Sequence, residues 1–286
     1  MSEIPAIPNR QIRLRDGRTL GYAEYGDPAG KPVFFFHGWP SSRLFIRSQA
    51  SVTASFGVRL IACERPGFGL SDFKPERKLL DWPDDVIELA DALAIGQFAV
   101  AGHSGGGPYA AACAFKIPSR LTAAAIISGF APLDFPNATN NMMASNRLMF
   151  GLAKHLPWLH RILISLTMSG GPDKYFQRMT SSLPEVDRAV LASLGKGADD
   201  IAEAFRGGVS GPVWDQYVLV RPWGFRLEDI SLDVFLWHGD KDVMVPLQMG
   251  QYLAKTIPKC HATFFSGEGH MLIFPRWAEV LSRLVA

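Results

Sequence analysis

Apolar residues in this chain follow two rhythms, and the rhythms alternate. Residues 32–36, 58–63, 98–102 and 123–128 are continuous apolar runs of strand length, the pattern of strands covered on both faces. Residues 11–15 and 19–25 alternate polar and apolar around Asp16-Gly17, which predicts a hairpin. Residues 41–56 have helical spacing, and Val86, Leu89, Ala90 and Leu93 recur on one face of a helix over 84–93. Two later runs, 232–237 and 262–265, predict further strands, and a helix follows residue 270. Strands alternating with helices predict an α/β domain with a mostly parallel sheet.

That alternation stops at residue 131 and resumes near 231. The interval is rich in helical pattern and in large apolar residues, among them Met142, Met143, Met149, Phe150 and Trp158. Breaks fall at Pro157, Gly170-Gly171-Pro172, Gly195-Lys196-Gly197 and Gly207-Gly208. Roughly 100 residues without a strand cannot be one loop of a compact domain. The expectation is a core of residues 1–130 and 231–286 with a helical cap, 131–230, inserted. Arg221-Pro222-Trp223-Gly224-Phe225 marks the return from cap to core; Trp223 and Phe225 either pack on the sheet or line a pocket.

The chemistry gathers where strands end. The run 98–101 leads into Gly102-His103-Ser104-Gly105-Gly106, and a small-residue helix pattern leaves it. This is the G-x-S-x-G elbow, a strand-turn-helix that raises a serine hydroxyl clear of the sheet. The Gly105 amide then lies at a helix N-terminus, where it can face a developing oxyanion. A nucleophilic serine needs a base, and the base needs an acid to orient it. Asp240 and Asp242 follow the run 232–237, and Gly269-His270 follows the run 262–265. The order serine, aspartate, histidine is the one this elbow uses. Asp134, after the run 123–128, is a rival position for the acid.

With these motifs on the page, the chain resembles the α/β-hydrolase fold family, in its cap-bearing, esterase-like branch. Phe34-Phe35-Phe36-His37-Gly38-Trp39-Pro40 is similar to the family's His-Gly-x-Pro oxyanion loop, close to the form found in epoxide hydrolases. Glu64-Arg65-Pro66-Gly67-Phe68-Gly69-Leu70-Ser71 resembles its D-R-P-G-x-G-x-S turn, with Glu64 in place of aspartate at a position expected to be structural. The resemblance implies an eight-stranded sheet flanked by helices. It selects Asp242 over Asp240 as the acid and His270 as the base, and it makes the Trp39 amide the second oxyanion donor beside that of Gly105.

Composition narrows the function. Hydrophobic residues make up 48% and charged residues 20% of the chain, and the net charge is +2, so a soluble globular enzyme is expected rather than a disordered segment. Scattered Lys and Arg argue against nucleic-acid or membrane partners. Cys63, Cys113 and Cys260 are an odd count in apolar stretches, which suggests reduced, buried thiols and a cytoplasmic protein. Residues 1–11 lack the apolar core of a leader, and no window reaches the ~18 apolar residues of a membrane span. His37, His103, His155, His160, His238 and His261 read as packed or solvated side chains, since none pairs with other ligands at metal spacing. No metal or other cofactor is expected: the glycines at 102–107 end in Pro108-Tyr109 where a phosphate loop needs Lys-Ser or Lys-Thr.

The expected activity is hydrolysis of a carboxylic ester of a small or medium apolar molecule through an acyl-enzyme on Ser104. Lactone, amide or carbon–carbon hydrolysis would use the same residues, and a ligand receptor can retain them without turnover. Epoxide hydrolase and dehalogenase chemistry needs an aspartate nucleophile, which Ser104 argues against. The oligomeric state is left open.

Overall fold

The computed structural model describes residues 7–195 and 197–286. The leader-free reading of the N-terminus extends over residues 1–6, and Lys196 belongs to the third break of the insertion; both lie outside the described residues. The strands are β1 Ile7–Arg13, β2 Thr19–Gly26, β3 Lys31–Phe36, β4 Val58–Cys63, β5 Phe98–His103, β6 Leu121–Ile127, β7 Val234–Gly239 and β8 Cys260–Phe265. They form one sheet in the order β1-β2-β4-β3-β5-β6-β7-β8. The hairpin partners β1 and β2 are antiparallel, as are β2 and β4; every other pairing is parallel. The sheet is mostly parallel, as the apolar runs predict, and eight-stranded, as the family resemblance implies.

Helices α1 Ala50–Ser55, α2 Trp82–Ala92, α3 Gly107–Lys116, α10 Leu247–Thr256 and α11 Ile273–Leu284 cover the sheet. Along β3 the side chains divide: Phe34 and Phe36 join one apolar cluster with α2 and α3, while Val33 and Phe35 join another with Trp277 of α11. Both faces are buried, which is why the strand reads as unbroken Val and Phe rather than as an alternation.

The helical spacing over 41–56 is only partly realised, since the α-helix there begins at Ala50. Polar bonding explains the difference. Ser42 donates from its amide and its hydroxyl to Asp200 Oδ1, and Ser41 donates from its hydroxyl to Asp200 Oδ2. Tyr25 donates its hydroxyl to the Arg43 carbonyl. These bonds hold 41–46 as an irregular wall instead of a helix.

Between β6 and β7 the described residues form α4 Ala144–His155, α5 Pro157–Met168, α6 Pro172–Ser181, α7 Glu185–Leu194, α8 Ala198–Ala204 and α9 Ser210–Leu219, with no strand. Pro157 opens α5, Pro172 opens α6, and the glycine breaks fall before α8 and α9. The insertion is tied into the core: Phe150 and Val218 belong to one of the two sheet clusters, Leu183 and Leu191 to the other.

Candidate active site

The serine turn is built by close approach. Between the end of β5 and the start of α3 lies a single 3-10 turn, Ser104–Gly106. Ser104 has φ of +55°, a left-handed conformation that costs a non-glycine residue free energy and is held by its surroundings. A Cβ on Gly102 would lie 2.2 Å from the Gly106 carbonyl oxygen, and one on Gly106 would lie 2.1 Å from that of Phe36. Neither position admits a side chain, so the flanking glycines are dictated by backbone contact.

His270 and Asp242 meet at the ends of β8 and β7. His270 Nδ1 stands 2.7 Å from Asp242 Oδ2, and both residues are buried. The amides of Met244 and Val245 donate to Asp242 Oδ1 at 2.9 and 2.8 Å. With both carboxylate oxygens engaged, Asp242 has one orientation. Burial alone would lower the His270 pKa, but the charge and hydrogen bond of Asp242, with the charge of Asp187, raise it above the ordinary 6.5. Asp242 is held below its ordinary value, because His270 outweighs the burial that would raise it. A carboxylate only accepts, so Nδ1 carries the proton and Nε2 is left free to take another.

The other two aspartates stand elsewhere. Asp240 is exposed and accepts from the Gly267 amide at 2.8 Å and the Ser266 hydroxyl at 3.2 Å, which ties the two loops together. Asp134 is exposed on the segment leading into the insertion.

Ser104 and His270 line one cavity of about 90 Å³ together with Trp39, Phe45, Met179 and Phe274. On its other side Ser104 lines a smaller space of about 40 Å³ with Phe130, Phe150, Tyr175 and Gln216. Tyr175, Met179 and Gln216 continue from there into a space of about 230 Å³ that Met143 and Met149 also line. The methionines therefore divide: Met142 packs in the core, whereas Met143, Met149 and Met179 face space near the serine.

The loop that carries His37, Gly38 and Trp39 is clamped from below. Arg65 donates through Nη1 to the His37 carbonyl and through Nη2 to the Gly38 carbonyl at 3.1 Å, and pairs with Asp215 of α9 at 2.7 Å. The Trp39 amide, next in the chain, donates to no other group among the described residues. A Cβ on Gly105 would lie 3.6 Å from that nitrogen, so the two proposed donors are neighbours. Glu64 behaves as a structural group: it is fully buried, pairs with Arg43 at 2.5 Å and accepts from the Leu70 amide at 2.7 Å.

Three residues of the site carry no signal in the sequence, and a fourth, His103, reads there only as a packed side chain. Asp187, on α7, accepts from the Met271 amide at 2.7 Å and so grips the loop that holds His270. Asp200, on α8, lines the serine cavity; burial raises its pKa to about 6 against the lowering effect of Ser41 and Ser42. Asp215 anchors Arg65. His103 is packed, as expected, but beside the site: it lines the same cavity, and its ring centroid lies 4.9 Å from that of His270. Its Nε2 donates to the His270 carbonyl at 3.1 Å, and burial pushes its pKa down to about 3, so it is neutral. The three aspartates lie on helices of the insertion, far from any motif, and only the packing of those helices brings them here.

Among the remaining histidines, His37 and His238 are buried on backbone carbonyls, His160 is buried against Gln216 at 2.5 Å, and His261 is exposed beside Asp233. Cys63 and Cys113 are buried and Cys260 is partly so; all three are free thiols. Among the described residues no group of three His, Cys, Asp or Glu side chains is placed to hold a metal ion, and no helix is long and apolar enough to cross a membrane.

Comparison with known proteins places this geometry in a family. The chain is 35% identical over 131 residues to a non-heme chloroperoxidase of Streptomyces lividans, a match covering 45% of this chain and about half of that one, 48%. It is 24% identical over 241 residues to a bifunctional esterase/perhydrolase of Acinetobacter calcoaceticus, covering 83% of this chain and 84% of that one. A hydrolase from Pseudomonas aeruginosa superposes with a TM-score of 0.74 at 19% identity, over 97% of this chain and 98% of that one. The pattern of the family described as alpha/beta hydrolase fold matches residues 31–276, a span that runs from the first residue of β3, past the serine turn and His270, into α11. The chain therefore belongs to the α/β-hydrolase-fold family, and it is an enzyme.

Proposed function

We propose that the protein is a serine hydrolase that cleaves the carboxylic ester of a small or medium apolar molecule. The observation that carries this reading is the buried His270–Asp242 pair, 2.7 Å apart, opening on the cavity that holds Ser104. In this mechanism Ser104 Oγ attacks the ester carbonyl while His270 Nε2 takes its proton. The tetrahedral oxyanion is held by the amides of Trp39 and Gly105, each donor worth roughly 3 kcal/mol of barrier. His270 returns the proton to the departing alkoxide, which leaves as the alcohol. Water, deprotonated by His270, then splits the acyl-enzyme into the acid and free Ser104. Residues 131–230 act as the cap over this cavity, with Phe176, Met179 and Leu191 supplying its apolar roof. Free thiols support a cytoplasmic location, and a small molecule is the only partner the reading requires.

The names of the relatives favour a second outcome of the same acyl-enzyme. If hydrogen peroxide replaces water as the attacking species, the acyl group leaves as a peracid and Ser104 is regenerated. The test is labelling by a serine-reactive fluorophosphonate combined with turnover of p-nitrophenyl esters, with and without peroxide. Labelling with turnover, both lost in Ser104→Ala, supports the hydrolase; labelling without turnover of any ester would overturn the ester reading in favour of a lactone, an amide or a carbon–carbon bond as the one cleaved.

A further inference from the structure

The two spaces that continue from Ser104 toward Met149 meet at a polar neck. Six residues line both spaces, and three of them are polar: Asn146 of α4, Tyr175 of α6 and Gln216 of α9. The other three are Trp39, Met179 and Met244, and no charged side chain lines the space nearer Ser104. Three separate helices thus each bring one polar side chain to an otherwise apolar place. The Tyr175 hydroxyl and the Asn146 side-chain amide bond to no other group among the described residues. Burial raises the Tyr175 pKa, so its hydroxyl keeps its proton.

Gln216 is the best defined of the three. It is 3% exposed, and its Oε1 accepts from His160 Nε2 at 2.5 Å. Burial lowers the His160 pKa, so the ring is neutral and carries a single N–H. That proton sits on Nε2: on Nδ1, a buried atom with no partner, it would be sealed in protein with nothing to accept it. With Oε1 taken, Nε2 is the free end of the Gln216 amide. It donates to no group among the described residues, yet it is not sealed in protein as His160 Nδ1 is, so its N–H groups open on the neck. A buried amide held in one orientation by a second buried residue is a fixed donor, and leaving it unmet is costly.

The mechanism decides which part of a substrate reaches this donor. The leaving oxygen takes its proton from His270, which lines the cavity of about 90 Å³ and neither space at the neck. The alcohol therefore occupies that cavity, and the acyl chain runs the other way, past Gln216. The group it presents there accepts hydrogen bonds. It is also neutral, since a carboxylate beside Ser104 would be buried without a cation. A carbonyl oxygen fits, with two lone pairs for two donors.

We propose that the neck is a specificity subsite for the acyl chain, in which Gln216 Nε2 and the Tyr175 hydroxyl donate to a second carbonyl oxygen, so that esters of oxo acids are preferred to esters of plain alkanoic acids. This deepens the ester-hydrolase reading and rests on it.

The test compares, with the full chain, p-nitrophenyl 4-oxopentanoate with the pentanoate and the 5-oxohexanoate with the hexanoate, as ratios of kcat/KM. Dividing each ratio in a variant by that of the wild type cancels the intrinsic reactivity of the esters. Gln216→Leu keeps the bulk of the side chain and removes the N–H groups; the ratio for at least one pair is expected to fall at least ~10-fold. Tyr175→Phe removes only a hydroxyl and is expected to lower the same ratio at least ~3-fold. Unchanged ratios for both pairs in Gln216→Leu overturn the subsite, while turnover of the plain esters leaves the ester reading standing. Wild-type protein that cleaves none of the four esters overturns that reading, and the subsite with it. If Gln216→Leu does not fold because His160 has lost its acceptor, Tyr175→Phe decides, and unchanged ratios there overturn the proposal.

Discussion

At the scale of single residues, the site is a set of assignments that mutation can separate. Ser104→Ala is expected to keep the fold, since alanine is smaller and the turn is held by its glycines, and to lower ester turnover at least ~1000-fold. Steady-state kinetics of purified variant, free of contaminating esterase, measure this. Asp242→Asn removes the acceptor that fixes the His270 tautomer, and the expected loss is ~10,000-fold. Asp134→Asn and Asp240→Asn touch neither ring nitrogen and are expected to be mild; a crippled Asp134→Asn would move the acid to the end of β6. The pH profile belongs here too. His270 must be neutral to accept the serine proton, and Asp242 raises its pKa above 6.5. Activity is therefore expected to fall toward acid with an apparent pKa above 6.5, and a midpoint below that value contradicts the coupling.

At the scale of elements, the informative contacts run between the insertion and the sheet edge. Helix α9 carries Asp215, whose two oxygens serve Arg65, Arg77 and Tyr109, all buried. Arg65 in turn holds the carbonyls of His37 and Gly38, so the loop that leads to Trp39 rests on a residue of the insertion. Asp215→Asn removes the one negative charge between two buried guanidinium groups. The expected cost is about 3–5 kcal/mol of stability, read from urea unfolding, with a loss of kcat from the loosened loop. The sign of its pH dependence follows from the pKa. Burial would raise it, but Arg65 and Arg77 together depress it below the ordinary 3.8. Its stabilisation is present above 3.8 and is lost as pH falls through the depressed folded value, so Asp215→Asn is expected to flatten acid unfolding in that window. Helix α7 does the same for the base, through Asp187 and the Met271 amide.

At the scale of the molecule, helices between β6 and β7 line one side of the cavity at Ser104 and the loops at the strand ends line the other. Ser104 lines two small, mostly apolar spaces, of about 90 and about 40 Å³. Short-chain esters are expected to be turned over faster than long-chain ones, and triacylglycerol emulsions to be poor substrates. A set of p-nitrophenyl esters of increasing chain length measures this. A covalent inhibitor on Ser104 would contact both layers, so α6, α7 and α8 are expected to gain hydrogen-exchange protection when the serine is labelled. Unchanged exchange in those helices would describe an open cleft.

The strands and the serine turn were legible in the sequence because each is local, and the pairing of Asp242 with His270 because their motifs resemble the family's. A buried parallel strand reads as an apolar run, and a backbone that passes 2.2 Å from where a Cβ would stand leaves glycine as the residue there. Helix breaks in the insertion were legible for the same reason, since proline and glycine act on their own backbone. The irregular wall at 41–46 was not, because its form depends on Asp200, which lies more than 150 residues away in the chain. Asp187 and Asp215 are likewise brought to the site by packing between distant segments. Their residue types and spacing are those of any surface helix or loop. Only the tertiary structure decides that their carboxylates are buried, and burial is what turns an ordinary polar side chain into one that must find a partner.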